Sequence, residues 1–247
     1  MLSSTKTAPA DAVIDAHHTG MEQPVGSPVD AKPAQRPGAV TLSGRFGRVE
    51  KLKPGHAGDL WAVLEGHERI WTYMPSYGPF ADAAAFTQWI GAQASMNDPY
   101  SYCIVDPSGR ALGISALMGI RPEHRVVEIG QIVYSPHLQR SALATEAQYL
   151  LARYAFETLR FRRYEWKCDA LNAASRRAAL RYGFRFEGIF RQHMIARGHN
   201  RDTAWYSMLD SEWPARKANF ERWLAPENFA PDGRQETSLS ALNGVAP

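Results

Sequence analysis

The stretch from Val133 to Glu146 reads Val-Tyr-Ser-Pro-His-Leu-Gln-Arg-Ser-Ala-Leu-Ala-Thr-Glu, and it joins a predicted strand to a predicted helix. Pro136 ends the strand because proline cannot donate a ladder hydrogen bond. The helical face that follows is carried by residues spaced three or four apart, namely Leu143, Ala147, Leu150, Leu151, Tyr154 and Ala155. A loop entering a helix offers unpaired backbone N–H groups at the positive end of the helix dipole. The segment is therefore suited to hold phosphate groups.

Outward from this segment the chain alternates between strand and helix patterns. Strands are predicted over residues 40–52, 100–105, 111–119, 126–134, 164–169, 184–195 and 203–210. Helices are predicted over residues 57–65, 82–96, 172–181 and 213–224, besides the one that follows the quoted loop. This order predicts an α/β fold with a mixed sheet.

Length and composition indicate one catalytic domain with polar ends. The 247 residues are 45% hydrophobic, enough for one sizeable core. Residues 1–39 contain five prolines and no apolar periodicity, so we expect a disordered tail there. The domain is predicted over residues 40–212, and residues 213–247 are expected to form a closing helix and a loose tail from about Ala230.

Charge and cysteine usage exclude several classes of protein. A net charge of +3, from 28 basic and 25 acidic residues, gives no reason to expect a nucleic-acid or membrane partner. No apolar run has the length of a membrane span and no leader pattern begins the chain, so we expect a cytoplasmic protein. Cys103 and Cys168 lie in strand patterns, and neither they nor the histidines have metal-ligand spacing, so no metal is expected.

Two ordered motifs carry a resemblance to a known family. The segment Gln139-Arg140-Ser141-Ala142-Leu143-Ala144 resembles the Q/R-x-x-G-x-G/A acetyl-CoA loop of the GNAT superfamily, with Ala142 where that family usually has glycine. Asn172 and Ser175, followed by Gly183-Phe184, resemble the N-x-x-S and G-F spacing of the RimJ/RimL branch. The resemblance spans Val40 to Glu212. It implies a single GNAT-like domain with a mostly antiparallel, twisted sheet of about seven strands, flanked by helices and splayed at the cofactor site.

The same resemblance implies an acetyl-CoA site. The backbone of Ile132, Val133 and Tyr134 should pair with the pantetheine arm, and an amide there should stabilise the oxyanion formed by amine attack. The pyrophosphate should be held by Gln139, Arg140, Ser141, Ala142, Leu143 and Ala144. Asn172 and Ser175 should contact the pantetheine or thiol end. Asn172 is equally suited to cap the following helix, and the two roles are compatible.

For the catalytic residues the sequence leaves several alternatives. Glu128 is the candidate base, in the strand where GNAT proteins often place a carboxylate, although it could instead pair with Arg125 or another cation. Many members use a tyrosine seven residues after the asparagine to protonate the thiolate, but this chain has Ala179 there. Tyr182 would point elsewhere around the helix, so Tyr134, Ser175 or solvent would have to serve.

An aromatic loop and a later tryptophan are candidates for the acceptor pocket. The candidate residues are Trp71, Tyr73, Tyr77, Phe80 and Trp166, with Trp205 on a neighbouring predicted strand. Aromatic packing beneath the loop is the alternative explanation for all of them.

These features predict an acetyl-CoA-dependent N-acetyltransferase in which an amine attacks the thioester directly in a ternary complex. The acceptor would be a protein N-terminal α-amine, an aminoacyl compound or a small amine, and an antibiotic is a more remote possibility. An α-amine with a pKa of about 7.7–8.0 needs less help from a base than lysine at about 10.4. The alternative is a GNAT-fold acyl-CoA-binding regulatory module without turnover, which Ala142 and Ala179 favour. A monomer or a homodimer would be compatible with the sequence.

Overall fold

One eight-stranded sheet organises the chain in the computed structural model, which describes residues 25–245. The strands are β1 (Thr41–Ser43), β2 (Arg48–Lys51), β3 (Tyr100–Val105), β4 (Ala111–Arg121), β5 (Val126–Tyr134), β6 (Arg163–Asp169), β7 (Arg185–Ala196) and β8 (His199–Leu209). They lie in the order β1-β2-β3-β4-β5-β6-β8-β7. Only β5 and β6 run parallel, and every other neighbouring pair is antiparallel. The predicted α/β fold with a mixed, mostly antiparallel sheet is confirmed.

Six α-helices accompany the sheet within the described residues. They are α1 (Ala57–Leu64), α2 (Ala83–Ser95), α3 (Ala142–Arg153), α4 (Ala173–Arg181), α5 (Trp213–Leu224) and α6 (Leu239–Leu242). A π-helical turn (Tyr154–Thr158) extends α3, and short 3₁₀ turns lie at Pro54–His56, Glu68–Trp71, Pro122–His124 and Pro226–Asn228. Helices α1 and α2 pack on β4 and β3, while α3 packs on β1, β2 and α5. The core lies between these layers and the sheet.

The parallel pair is where the sheet opens. Only Val126, Val127 and Glu128 of β5 are in register with β6, opposite Arg163, Tyr164 and Glu165. The remaining residues of both strands have no partner across this gap among residues 25–245. The sheet is therefore splayed from Glu128 to the end of β5, and α3 begins just beyond that end.

The sequence predicted one strand over residues 40–52, whereas the structure has two. A turn intervenes, in which the amide of Gly44 donates to the carbonyl of Gly47. The turn amides of Arg45 and Phe46 donate to the Glu146 carboxylate at 2.6 and 2.8 Å. A side chain at Gly44 would collide with that carboxylate. A residue about a hundred positions away thus decides the turn, which is why local pattern missed it.

Part of the predicted disordered tail packs on the sheet domain. Residues 1–24 lie outside the described residues, and residues 25–32 belong to a compact unit distinct from residues 33–245. Within the larger unit Ala34 is buried, and its amide donates to the carbonyl of Pro122. The phenol of Tyr102 donates to the carbonyl of Gly38. Backbone hydrogen bonds hold this segment, and such bonds leave no hydrophobic period in a sequence.

The loose segment predicted from Ala230 is likewise ordered up to residue 245. Leu239 is fully buried in the core, and Asn228 bonds to the backbone of Trp223 and Thr237. Asn243 donates from its side chain to the carbonyl of Arg181 at the end of α4. One buried leucine and two asparagines are too few to produce a recognisable pattern.

Candidate functional site

The splay between β5 and β6 is bordered by a β-bulge. Ile114 lies opposite Val133 and Ala116 opposite Gly130, so Gln131 and Ile132 together face the single residue Ser115. Gln131 adopts the left-handed conformation with φ of 52°. A bulge re-aims the backbone groups beside it. The expected pairing of Ile132, Val133 and Tyr134 with a pantetheine arm has room here, because their strand has no neighbour on the β6 side.

Some backbone amides of the loop before α3 donate hydrogen bonds within the loop, and others remain available to a ligand. The amide of Gln139 donates to the carbonyl of Ser135, and that of Ser141 to the carbonyl of Leu138. The Ser141 hydroxyl accepts from the amide of Ala144 at 3.0 Å and caps the helix. The amides of Ala142 and Leu143 precede the first intrahelical hydrogen bond. Of the predicted pyrophosphate segment, these two amides therefore have the arrangement that binds an anion.

Small and exposed residues surround these amides. Arg140 and Gln139 are exposed, and Arg140 is left-handed with φ of 60°. Ala142 is partly exposed, while Leu143 and Ala144 are buried. A diphosphate fits this donor set, because the amides are at a helix N-terminus and Ala142 is partly exposed.

The helix α4 begins beside the splay with both residues of the second motif. The Asn172 side chain accepts from the amide of Ser175 at 3.0 Å, so its capping role is observed. The Ser175 hydroxyl accepts from the indole N–H of Trp166 at 3.0 Å. Trp166 is buried and packs against Tyr182 and Phe184. The structure therefore places Trp166 in the core beneath α4, away from the opposite face of the sheet, where Glu128 lies.

Tyr134 lies at the end of β5 with its phenol buried. The phenol accepts hydrogen bonds from Ser115 at 3.2 Å and from the Gln148 amide at 2.6 Å. Burial raises the pKa of Tyr134 well above its ordinary value, and these bonds only partly oppose that effect. A phenol that holds its proton this tightly is a weak proton donor.

Glu128 stands at the vertex of the splay in an ion-pair network. The Lys167 ammonium lies 2.9 Å from Glu128 Oε2 and 3.1 Å from Glu165 Oε2. Glu165 also receives hydrogen bonds from Arg121 and Arg163, each at 2.8 Å. The cation beside Glu128 is thus Lys167 on β6, not Arg125.

Burial governs the protonation of Glu128. Burial raises the pKa of the Glu128 carboxyl, the adjacent Lys167 ammonium lowers it, and the net effect is a raised pKa. For Glu165 burial also opposes ionisation, but the Arg163 and Lys167 bonds outweigh it and the pKa is lowered. Two neighbouring carboxylates therefore have opposite tendencies, and the one at the vertex is the more basic. Such separation is typical of functional sites.

Gly130 gives the Glu128 side chain its position along β5. A Cβ at residue 130 would stand 3.2 Å from Glu128 Oε1 and 2.5 Å from Met118 Sδ. Oε1 therefore lies along the strand beside Gly130, while Oε2 meets Lys167. One carboxylate oxygen holds the cation, and the other lies beside Gly130 and outside that ion pair.

The aromatic loop divides into core and rim. Trp71 is 3% exposed and packs edge-on against Tyr77, Phe80 and Trp89, so it is a core residue. Phe80 also packs on Phe86 of α2.

The outer part of the aromatic loop is joined by hydrogen bonds at two places to segments on the β6 side of the sheet opening. The Tyr73 phenol donates to the carbonyl of Leu171 at 3.3 Å. Arg197, at the β7–β8 turn, donates to the carbonyls of Tyr77 and Gly78. Burial raises the pKa of Tyr77, Arg201 lowers it and Glu128 raises it. Among the predicted acceptor residues, Tyr77 is therefore one on whose pKa Glu128 acts.

Lys167, Arg201 and Arg197 were missed as site residues at the sequence level. A usable signal existed in β6, where Tyr164, Trp166 and Cys168 alternate with Glu165, Lys167 and Asp169. Because successive strand residues point to opposite faces, this alternation separates Trp166 from Lys167. Arg201 and Arg197 carry no comparable signal, since both depend on where the β7–β8 hairpin folds.

The described residues contain neither a cluster of metal-ligating side chains nor a membrane-spanning helix. Within residues 25–245 no three His, Cys, Asp or Glu side chains are grouped so that they could hold a metal ion. None of the helices in that range is long and apolar enough to cross a membrane.

Comparison with known proteins agrees with this geometry. Residues 48–185, more than half of the chain, match the family model of the acetyltransferase (GNAT) domain. YdaF of Bacillus subtilis, which is named as a ribosomal N-acetyltransferase, is 26% identical over 160 residues, covering 63% of this chain and 86% of YdaF.

Similarity to solved structures also indicates a GNAT acetyltransferase. A GCN5-related N-acetyltransferase from Brucella melitensis is 44% identical, with a TM-score of 0.83 over 87% of this chain and 98% of that one. An acetyltransferase of the GNAT family from Chromobacterium violaceum is 36% identical, with a TM-score of 0.70 over 86% of this chain and all of that one. The chain therefore belongs to the GNAT family and is an N-acetyltransferase.

Proposed function

We propose that the protein moves the acetyl group of acetyl-CoA to a primary amine by direct attack in a ternary complex. The observation that carries the proposal is the splay between β5 and β6, which leads from Glu128 to the free amides at the start of α3. Bound acetyl-CoA would supply the thioester carbonyl that the amine attacks. Ala142 and Leu143 would bind its pyrophosphate, and the free edge of β5 from Ile132 to Tyr134 would bind the pantetheine arm.

Glu128 is the residue that we propose as general base. Its raised pKa brings its basicity closer to that of an amine, and Oε1 is left over from the ion pair with Lys167. General-base catalysis contributes about 10²–10⁴-fold, directly or through one water. Tyr134 is a weak candidate for protonating the thiolate because burial raises the pKa of its phenol, and Ser175 is weak because an aliphatic hydroxyl is a poor acid. Proton return by solvent requires neither residue.

The acceptor amine that we propose is an α-amine or a small primary amine. An α-amine is appreciably neutral at physiological pH, whereas deprotonating a lysine of ordinary pKa at that pH costs about 4 kcal/mol. The name of YdaF places that relative among ribosomal N-acetyltransferases. Together with the RimJ/RimL-like motif, this supports a protein N-terminus, an aminoacyl compound or a small amine as acceptor. A cytoplasmic location and a monomeric or homodimeric state are part of the same proposal.

Ala142→Glu tests the cofactor site. Ala142 is partly exposed in the first turn of α3, so a carboxylate there stabilises the helix while repelling a pyrophosphate. We expect calorimetry to show at least a 30-fold weaker Kd for acetyl-CoA, with an unchanged or higher Tm. Ala142→Gln, of similar size without charge, is the control. Equal affinity in the Glu and Gln variants would show that no phosphate lies at this helix end.

The alternative of a binding module without turnover has its own test. Ala179 is fully buried and replaces the tyrosine expected at that position, so the usual thiolate acid is missing. Thiol release from acetyl-CoA is followed with a panel of primary amines. Saturable acetyl-CoA binding with no amine-dependent release would favour the regulatory module over the transferase.

A further inference from the structure

Two buried N–H groups near Glu128 lack acceptors. Within residues 25–245, Nε of Arg201 and Nε1 of Trp205 are both inaccessible to solvent and have no hydrogen-bond partner. An unsatisfied buried donor costs about 1–3 kcal/mol. Polar groups left in this state commonly await a ligand or an ordered water.

Both residues lie on the face of the sheet that carries Glu128. Trp205 is in register with Lys167, whose ammonium lies 4.1 Å from the indole centroid and 2.9 Å from Glu128. Arg201 precedes Trp205 by four residues on the same strand, so the two side chains share a face. Arg201 also acts electrostatically on Glu128 and on Tyr77.

The opposite face of the β7–β8 hairpin carries a different set of side chains. Asn200 and Asp202 alternate with Arg201, and they line an open depression of about 670 Å³ with Arg191 and Gln192. Arg191 is therefore an arginine of the same hairpin that points away from Glu128.

The charges around Glu128 favour an anion. Lys167 and Arg201 lie near Glu128, and Glu165, which shares Lys167 with Glu128, is also bonded to Arg121 and Arg163. The cations of this cluster thus outnumber its two carboxylates. None of the ion pairs formed within residues 25–245 includes Arg201. A guanidinium that is partly buried and has no carboxylate partner is well suited to bind an oxyanion with its N–H groups.

We propose that Arg201 and the indole N–H of Trp205 bind an anionic oxygen group, a carboxylate or a phosphate, on the same molecule whose amine is acetylated. This inference rests on the proposed transferase function and narrows its acceptor. The acceptor is then an amino acid or another small amine that bears an acid group near its nitrogen. A polyamine, or an amine next to a neutral amide, leaves the two donors without a charged partner.

Matched acceptors test the subsite by turnover. Thiol release from acetyl-CoA is measured with alanine and alaninamide, with serine and serinamide, and with phosphoethanolamine and ethanolamine. Rates are compared at equal concentrations of the neutral amine, because an anionic group raises the pKa of the amine beside it. We expect kcat/KM to be at least 10-fold higher for the acid member of the carboxylate pairs, the phosphate pair or both, which distinguishes the two anions. Arg201→Gln should bring that ratio to within twofold of unity by slowing the acid member, without changing the KM of acetyl-CoA. Arg191→Gln should leave the ratio as in the wild type.

A binding measurement separates the subsite from the transferase function. The ¹⁵N-labelled indole resonance of Trp205, assigned with Trp205→Phe, is followed during titration with N-acetylalanine, N-acetylalaninamide and inorganic phosphate. A saturable shift with an anion, absent with the amide and lost in Arg201→Gln, is expected. That shift without any turnover would refute the transferase proposal and keep the subsite. Equal rates for acid and amide, an unchanged ratio in Arg201→Gln, or no anion-specific shift would overturn the subsite.

Discussion

Replacement of Glu128 by glutamine separates a catalytic carboxylate from a structural one. At 2.9 Å and an effective dielectric constant of about 20, the Coulomb attraction between Glu128 and Lys167 is about 6 kcal/mol. The pKa of Glu128 is nevertheless raised, so burial costs the ionised group more than its cation returns. In Glu128→Gln, Lys167 keeps its contact with Glu165 at 3.1 Å, and no buried cation is left without a partner.

Proton linkage fixes the sign of the stability effect. The pKa of Glu128 is higher in the folded than in the unfolded chain, so its contribution to stability is fully present below its ordinary pKa of 4.5 and is lost as the pH rises through the folded pKa. At neutral pH the ionised carboxylate therefore contributes unfavourably. We expect Glu128→Gln to change the free energy of unfolding by no more than about 1 kcal/mol, or about 2–4 °C in Tm.

Activity should respond far more strongly than stability. Loss of a general base lowers kcat/KM for the amine by about 10²–10⁴-fold, equivalent to about 3–5 kcal/mol in the barrier. The assay is thiol release with a fixed amine between pH 6 and 9, beside calorimetric unfolding and acetyl-CoA binding. The affinity for acetyl-CoA should be unchanged. Activity within threefold of the wild type, or a Tm lower by more than about 8 °C, would refute the assignment in favour of a structural ion pair.

Glu187→Gln is the matched control for this substitution. Glu187 accepts hydrogen bonds from Arg163 and Ser207, and the Arg163 bond lowers its pKa. Its contribution to stability is therefore present above its ordinary pKa of 4.5 and is lost as the pH falls through the lowered pKa. Because Glu187 is more than a third exposed, we expect a loss of only about 0.5–1 kcal/mol at neutral pH, with kcat/KM within twofold.

Three further substitutions test the helix start and the C-terminal segment. Ser141→Ala removes the hydrogen bond to Ala144, so Tm should fall by about 2–4 °C and the Kd of acetyl-CoA should rise several-fold as the first turn of α3 frays. Ser238→Ala removes the equivalent cap of α6 and should leave that Kd unchanged; an equal change in both variants would contradict a local role for Ser141. Leu239→Ala empties a fully buried position and should cost about 2–5 kcal/mol in denaturant unfolding, whereas a cost below 0.5 kcal/mol would mean that the segment does not dock.

Some features of the candidate site could be predicted because they are local. The bounds of β3, β5 and α5 match the predicted ranges, since each has a period that burial on one or both faces imposes on consecutive residues. The caps Ser141 and Asn172 each satisfy an amide three residues ahead, within a single turn. Both partners of each such interaction lie close together in the sequence, so a sequence pattern can indicate it.

The acceptor side could not be predicted, because its contacts join distant segments. Arg197 reaches the carbonyl of Tyr77 across 120 positions, and Lys167 reaches Glu128 across the opening of the sheet. The sequence by itself determined the order of elements from β3 to α5, the loop before α3 and the presence of a carboxylate in β5. Only the tertiary structure decided which cation lies beside that carboxylate and which aromatic residues are core, because ion pairing and burial depend on distances in space that spacing along a chain does not fix.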